Sequence, residues 1–253
     1  MLFGKIRLSD IMKDCYVSTF ISGLSKFVED RIKNDFSDVE IIQVLDGLII
    51  YKTCDKEKVL GLKYVNNTFL LLGLLKSSGA TFNNEMNNLT QRLNLNFDVI
   101  KNHIKKLKKR SFKILAIDKN QPVSINYNII NRLEHEISDN IGAFVNKRNP
   151  DLEFIFLRRT EGLMLFMLKL TYNRITEKSL QKGELRPELA YILAVLANLD
   201  SNKIVMDPFC GHGSIPRQIV KNFKYNMCFA SDNDEELVKL FKNEYKNNKK
   251  SFL

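Results

Sequence analysis

The chain has 253 residues, a length that suits one or two domains, and 44% of them are hydrophobic, ample for buried cores. Lys and Arg number 39 against 29 Asp and Glu, and the net charge of +10 favours anionic partners, nucleic acid first, although a Lys- and Asn-rich proteome gives the same balance. Four cysteines without CxxC spacing and only three histidines argue against a zinc site, so no metal is expected, and free thiols suit a reducing cytoplasm.

The opening MLFGKIRLSDIMKDC is too charged for a signal peptide. Residues 16–20 read as a short strand, and 23–36 as a helix with Leu24, Phe27, Val28 and Ile32 on one face. In VEIIQVLDGLIIYKT two apolar runs flank Asp46-Gly47, a strong hairpin signal. Residues 57–64 suggest a further helix, so the first 64 residues read as a small α+β unit. The longest apolar run, FLLLGLL at 69–75, is far below the ~20 residues a membrane helix needs, and no membrane partner is expected.

A second α+β unit is expected over 65–170. Polar residues 83–88 read as a loop. Leu89, Leu93, Phe97, Ile100, Ile104 and Leu107 mark one face of a single long helix, whose other face carries Lys101, Lys105, Lys106, Lys108 and Lys109. Residues 111–118 read as a strand. Ile129, Leu133, Ile137, Ile141 and Phe144 give another amphipathic helix, broken at Arg148-Asn149-Pro150. LEFIFLRR and GLMLFMLKL read as strands joined by Thr160-Glu161-Gly162. Lys105, Lys106, Lys108, Lys109 and Arg110 form a basic cluster, with Lys113, Lys147, Arg148, Arg158 and Arg159 in neighbouring elements. Phosphate backbones bind such surfaces by counterion release, while a solvated helix face is the plainer reading.

After a polar linker at 171–184, Pro187 suits the first turn of a helix buried through Leu189, Ile192, Leu193, Leu196 and Leu199. Then comes IVMDPFCGHGSIPRQIV. Ile204, Val205 and Met206 read as a parallel strand buried on both faces. Asp207 stands at its carboxyl end, where open α/β sheets hold ligands. Gly211 and Gly213 permit a sharp turn and close approach of backbone to ligand. Ser214 is placed to cap the next helix, with Pro216 in its first turn. MCFASD reads as a second strand, and Asp232 at its tip is placed to take ribose hydroxyls in the βαβ arrangement. Pro216 stands where the dinucleotide fingerprint needs a third glycine, and no Gly-Lys-Ser/Thr follows for a P-loop. Cys210 reads as a small buried residue behind the loop rather than a nucleophile. The final NEYKNNKKSFL reads as an exposed helix end.

DPFCGHGSI resembles the S-adenosylmethionine loop, DPFCGSGT, of Rossmann-like RNA methyltransferases that carry a THUMP domain. LRPELAYILAVLANL resembles the helix before that loop, YVSTFISGLSKFVEDRI the family's first strand and helix, and KRNPDLEFIFLRR the end of a THUMP domain. The resemblance spans nearly the whole chain and is most specific at residues 207–213. It implies an α+β N-terminal part, made of a ferredoxin-like unit (1–64) and a THUMP RNA-binding unit (65–170). A linker (171–184) and the start of an α/β Rossmann-like methyltransferase domain (185–253) follow. It also implies S-adenosylmethionine held by Asp207, Pro208, Phe209, Cys210, Gly211, Gly213 and Asp232. Structured RNA, either tRNA or large-subunit rRNA, would meet Lys105, Lys106, Lys109, Arg110 and Arg158. The implied reaction is methyl transfer to an exocyclic amine, guanine N2 first.

Two departures stand out. His212 replaces the family's usual Ser, and is expected to be a tolerated loop side chain rather than a cofactor contact. The Asn/Asp-Pro-Pro-Tyr/Phe motif, by which the family holds the target amine of a flipped base, has no counterpart. Pro122, Pro150, Pro187, Pro208 and Pro216 include no adjacent pair. The expectation is therefore a methyltransferase domain truncated after two strands, with no catalytic residue in this chain and weak or no cofactor binding by it alone. The rivals are a non-catalytic RNA-binding THUMP fragment and a DNA amino-methyltransferase, which shares the loop logic. A tRNA thiolation enzyme would need a pyrophosphatase-type loop and a reactive-Cys domain, and neither is visible.

Overall fold

The computed structural model describes residues 14–105, 110–171, 180–245 and 251–252. The chain divides into two compact units, Met1–Leu60 with Asn67–Tyr172, and Gly61–Asn66 with Asn173–Leu253.

The first unit begins with β1 (Cys15–Thr19), α1 (Ser25–Asp35), the hairpin β2 (Glu40–Leu45) and β3 (Leu48–Lys52), and the short helix α2 (Lys56–Leu60). Gly47 supplies the hairpin's positive φ of 77°, and the Asp46 carboxylate accepts from the Gly23 N–H at 2.7 Å, tying the turn to the start of α1. Then follow β4 (Asn67–Lys76), α3 (Phe82–Arg92), α4 (Phe97–Ile104), β5 (Ser111–Asp118) and β6 (Gln121–Pro122). The unit closes with α5 (Tyr127–Ile141), β7 (Phe144–Val145), β8 (Leu152–Arg158) and β9 (Leu163–Lys169). Among the described residues these strands form one mixed sheet in the order β2-β3-β1-β4-β9-β8-β5-β6, with β7 also on β5. FLLLGLL lies in β4, which pairs antiparallel with β1 on one side and β9 on the other. Strands from both sides of residues 61–66, β1–β3 before and β4–β9 after, thus share one sheet. An interior strand buries both faces, and a continuous apolar run serves that purpose.

Two expectations fail in this unit. Residues 83–88 are helical, not a loop. Thr81 Oγ1 accepts from the Asn84 N–H at 3.4 Å to cap α3, and Phe82, Glu85, Met86 and Leu89 turn inward. The asparagines occupy its outer face. The single helix expected over 89–107 is two helices. α3 stops at Arg92, and Asn96 Oδ1 caps α4 by accepting from the Val99 N–H at 3.2 Å. Asn side chains compete for backbone donors, which favours a new cap over continuation.

The second unit holds α6 (Pro187–Leu196), β10 (Ile204–Asp207), α7 (Ser214–Asn222), β11 (Met227–Ala230), α8 (Glu235–Tyr245) and β12 (Ser251–Phe252). Its strands are parallel in the order β10-β11-β12. A third strand therefore follows the two expected, and the C-terminal stretch is not simply a helix end. Ala194, Ile219, Tyr225 and Cys228 form the core, with Leu199, Val205, Ile215 and Phe223 against it. Tyr191 sits 5.3 Å from the Phe223 ring and stacks on Tyr64 at 6.4 Å. β10 is not buried on both faces. Val205 faces the core, while Ile204 and Met206 are 62% and 67% exposed. An apolar run shows that a strand avoids polar residues, not that something covers its second face.

Candidate cofactor loop

The loop grows from the register of β10 and β11. Asp207 pairs with Ala230, so the two strands end level. Backbone hydrogen bonds continue past that point. The Ser231 N–H donates to the Asp207 carbonyl, and the Cys210 N–H to the Ser231 carbonyl, both at 2.9 Å. The chain then turns within four residues, closed by the Gly213 N–H donating to the Cys210 carbonyl at 2.7 Å. Gly211 (φ 50°) and Gly213 (φ 73°) take the left-handed conformation this turn requires. A Cβ built on Gly211 would meet nothing within 4 Å, so open space borders the loop there. The next turn is α7, begun by the Arg217 N–H bonding the Gly213 carbonyl at 2.9 Å. Gly213, not Ser214, occupies the cap position, and Ser214 makes no side-chain cap bond; it is the first helical residue and is buried. Pro216 falls in that first turn.

Two carboxylates frame the loop. Asp207 Oδ1 accepts from the Phe209 N–H at 3.3 Å. Burial raises its pKa above the usual carboxylate value, and the neighbouring Asp232 charge adds to the rise. Asp232 Oδ1 accepts from the Asp234 N–H at 3.0 Å and Oδ2 from the Gly211 N–H at 2.7 Å. Those backbone donors hold its pKa low. Asp232 therefore stays charged and braces the loop. Cys210 is buried, and burial with the nearby Asp207 and Asp232 pushes its thiol up to about 11. A neutral, buried thiol fits a packing role and not a nucleophile. Phe209 lies the other way, with 86% of its surface exposed beside Asp207. The structure thus brings Asp207, Pro208, Phe209, Cys210, Gly211, Gly213 and Asp232 together at the carboxyl end of one parallel sheet.

Sequence reasoning missed Arg217 and Glu184. Arg217 Nη2 donates to the His212 carbonyl at 3.1 Å, and Nη1 lies 3.6 Å from Glu184 Oε1. Only the position of Arg217 one turn after Gly213 hinted at this.

The basic residues fare differently. Lys105 is exposed; Lys106 and Lys109 lie outside the described residues. Arg110 is half-buried, and its Nη1 donates to the Ile141 carbonyl at 3.2 Å. Arg158 corrects the sequence reading. Its Nε and Nη2 grip Asp118 at 2.8 and 2.6 Å, and its Nη1 donates to the Ala80 carbonyl at 2.7 Å and lies 3.4 Å from Glu85 Oε2. With 12% of its side chain exposed, it is an internal tie and not a free cation for RNA. Lys113 and Lys169 likewise converge on Glu153, at 2.9 and 3.1 Å. Lys101, Lys147 and Arg148 are exposed. Among the described residues, no group of three or more His, Cys, Asp or Glu has the arrangement of a metal site, and no helix is long and apolar enough to cross a membrane.

Residues 174–219 match the RMKL-like methyltransferase domain family. That span runs through α6 and β10 into α7, so it includes the loop. A comparison with curated proteins finds no match. Among solved structures the chain is similar to TrmN from Thermus thermophilus, with 19% identity and a TM-score of 0.66 over 92% of this chain and 69% of that one. It is also similar to a predicted N6-adenine-specific DNA methylase from Listeria monocytogenes, with 13% identity and a TM-score of 0.61 over 96% and 74%. SMU.472, solved in complex with SAH, shares 13% identity with a TM-score of 0.59 over 92% and 71%. The mixed α/β fold therefore resembles that of methyltransferase structures.

Proposed function

We propose that this chain carries the cofactor loop and the RNA-binding part of an S-adenosylmethionine-dependent RNA methyltransferase. The observation that carries the reading is the Cys210–Gly213 turn at the carboxyl end of β10, flanked by Asp207 and Asp232. The match to a methyltransferase domain over 174–219 and the fold shared with a structure holding SAH support it. The site suits such a cofactor. Open space at Gly211, left-handed glycines, two carboxylates and an exposed aromatic ring offer donors, acceptors and an apolar surface. Bound S-adenosylmethionine would supply an electrophilic methyl group. Asp207 and the loop backbone would hold its methionine end, and Asp232 would accept from the ribose hydroxyls with the lone pairs its two amide bonds leave.

The first unit is read as ferredoxin-like (1–64) and THUMP (65–170) portions that hold structured RNA. The net charge of +10 and the exposed Lys101, Lys105, Lys147 and Arg148 favour this. By resemblance the target is an exocyclic amine, guanine N2 first, in tRNA or large-subunit rRNA. No two prolines are adjacent in the sequence, so these 253 residues do not supply the amine-holding motif, and methyl transfer by this chain alone is not expected.

The test is saturation-transfer NMR with S-adenosylhomocysteine on the full chain, with Asp207→Ala as control. Weak binding that the substitution abolishes is expected, and absence of transfer in the unsubstituted chain rules the cofactor reading out. Competition between a tRNA transcript and duplex DNA separates the RNA reading from the DNA amino-methyltransferase reading.

A further inference from the structure

The loop contains three consecutive peptide units, and the structure pins two of them at both ends. In the unit joining Cys210 to Gly211, the N–H donates to Asp232 Oδ2 at 2.7 Å and the carbonyl accepts from the Gly213 N–H at 2.7 Å. In the unit joining His212 to Gly213, that same Gly213 N–H is engaged, and the His212 carbonyl accepts from Arg217 Nη2 at 3.1 Å. The unit between them is different. Among the described residues the Gly211 carbonyl receives only the weak Cys210 Sγ contact at 3.8 Å, and the His212 N–H has no acceptor.

Arg217 is itself held. Its Nη1 faces Glu184 Oε1, and Glu184 Oε2 accepts from the Gln181 N–H at 3.0 Å. The two side chains are 27% and 16% exposed, so water screens their attraction only in part. A guanidinium can engage a carboxylate on one nitrogen and a carbonyl on another in one plane; an ammonium cannot reproduce that fork.

We propose that Arg217, anchored by Glu184, is the positioning residue of this loop: it fixes the His212–Gly213 peptide plane so that the His212 N–H is presented to an oxygen of the bound ligand. That this ligand is S-adenosylmethionine rests on the reading above. The device explains why position 212 tolerates a histidine: the loop uses the backbone of that residue, and the carbonyl is set from outside the turn.

The test uses Arg217→Gln, Arg217→Lys and Glu184→Gln in the full chain, with two readouts. Amide hydrogen exchange at Gly213 reports the peptide plane, and NMR titration with S-adenosylhomocysteine reports the presented donor. Arg217→Gln is expected to speed Gly213 exchange by about tenfold, the loss of one charge-assisted bond, without changing exchange at Ile155 in the other unit. Ligand affinity falls in parallel, and Arg217→Lys restores part of each. Unchanged Gly213 exchange in Arg217→Gln overturns the proposal. So does faster exchange with undiminished affinity, since Arg217 would then be structural only. If exchange responds but the unsubstituted chain engages no S-adenosylhomocysteine, the clamp stands and the cofactor reading falls.

Discussion

Arg158 separates two accounts of the first unit. On sequence it is one more cation in a basic neighbourhood. In the structure it joins β8 to Asp118 on β5 and to Glu85 on α3, under the Phe82 ring at 5.5 Å. Arg158→Ala leaves Glu85, whose side chain is fully buried, and Asp118, 20% exposed, without their shared cation. Removing one partner of a buried ion pair costs about 3–5 kcal/mol. Glu85 keeps donors from the Ser77 hydroxyl and the Ser78 and Gly79 N–H groups, which places the expected loss near the lower end, about 3 kcal/mol. For a unit of this size that is a fall of roughly 6–12 °C in Tm. Circular dichroism melts of the full chain measure it, alongside filter binding of a tRNA transcript at two salt concentrations. Arg158→Lys should fall almost as far, because lysine cannot hold Asp118 through two nitrogens. Arg158 is instead a phosphate-binding cation if Arg158→Ala melts within a degree of the unsubstituted chain while the salt dependence of RNA binding drops by about one phosphate contact.

Three other outcomes follow from the same geometry. Hydrogen bonding from Arg158 holds the Asp118 carboxyl low, and Glu85 is also held low because bonds from Ser77, Ser78 and Arg158 outweigh its burial. Their stabilisation is complete above the unfolded carboxylate values, about 4, and is lost as pH falls through the depressed folded values; Asp118→Asn should flatten the dependence of the urea midpoint on pH below about 4. Ile204→Thr and Met206→Thr should change stability by less than about 0.5 kcal/mol, whereas Ile219→Ala, 1% exposed in the core, should cost about 2–5 kcal/mol; equal costs in urea unfolding would mean the outer face of β10 is covered. A thiol reagent at pH 8 should label exposed Cys54 quickly and the three buried cysteines slowly, since burial pushes Cys15 to about 12 and Cys210 and Cys228 to about 11.

The elements legible in the sequence were those whose signal is local. The Asp46-Gly47 hairpin, β5, α5, β8 and β9 all declare themselves by periodicity or turn chemistry within about a dozen residues. α3 did not, because its buried Phe82, Met86 and Leu89 are diluted by outward asparagines, and its one buried acid, Glu85, finds its cation in Arg158, far along the chain. No spacing rule connects those two positions. The exposed face of β10 was hidden for a related reason. Ile204 and Met206 look like core residues in any window, and only the packing of α6 and α7 shows that Val205 and Cys228 are the side the unit covers.

The loop was legible because glycine, proline and acidic residues constrain the backbone they occupy. What was not legible is how the loop is held. β10 is four residues long and one of its faces is exposed, so sheet packing alone gives the turn little support. Rigidity has to come from discrete bonds: the Ser231 ladder, Asp232 on the Gly211 amide, and Arg217 on the His212 carbonyl. Each is a single directional contact whose loss frees one peptide plane. A binding loop built this way depends on side chains that a motif comparison passes over. Glu184 precedes α6, Arg217 lies on the first turn of α7, and neither belongs to the DPFCGHG stretch that announces the site.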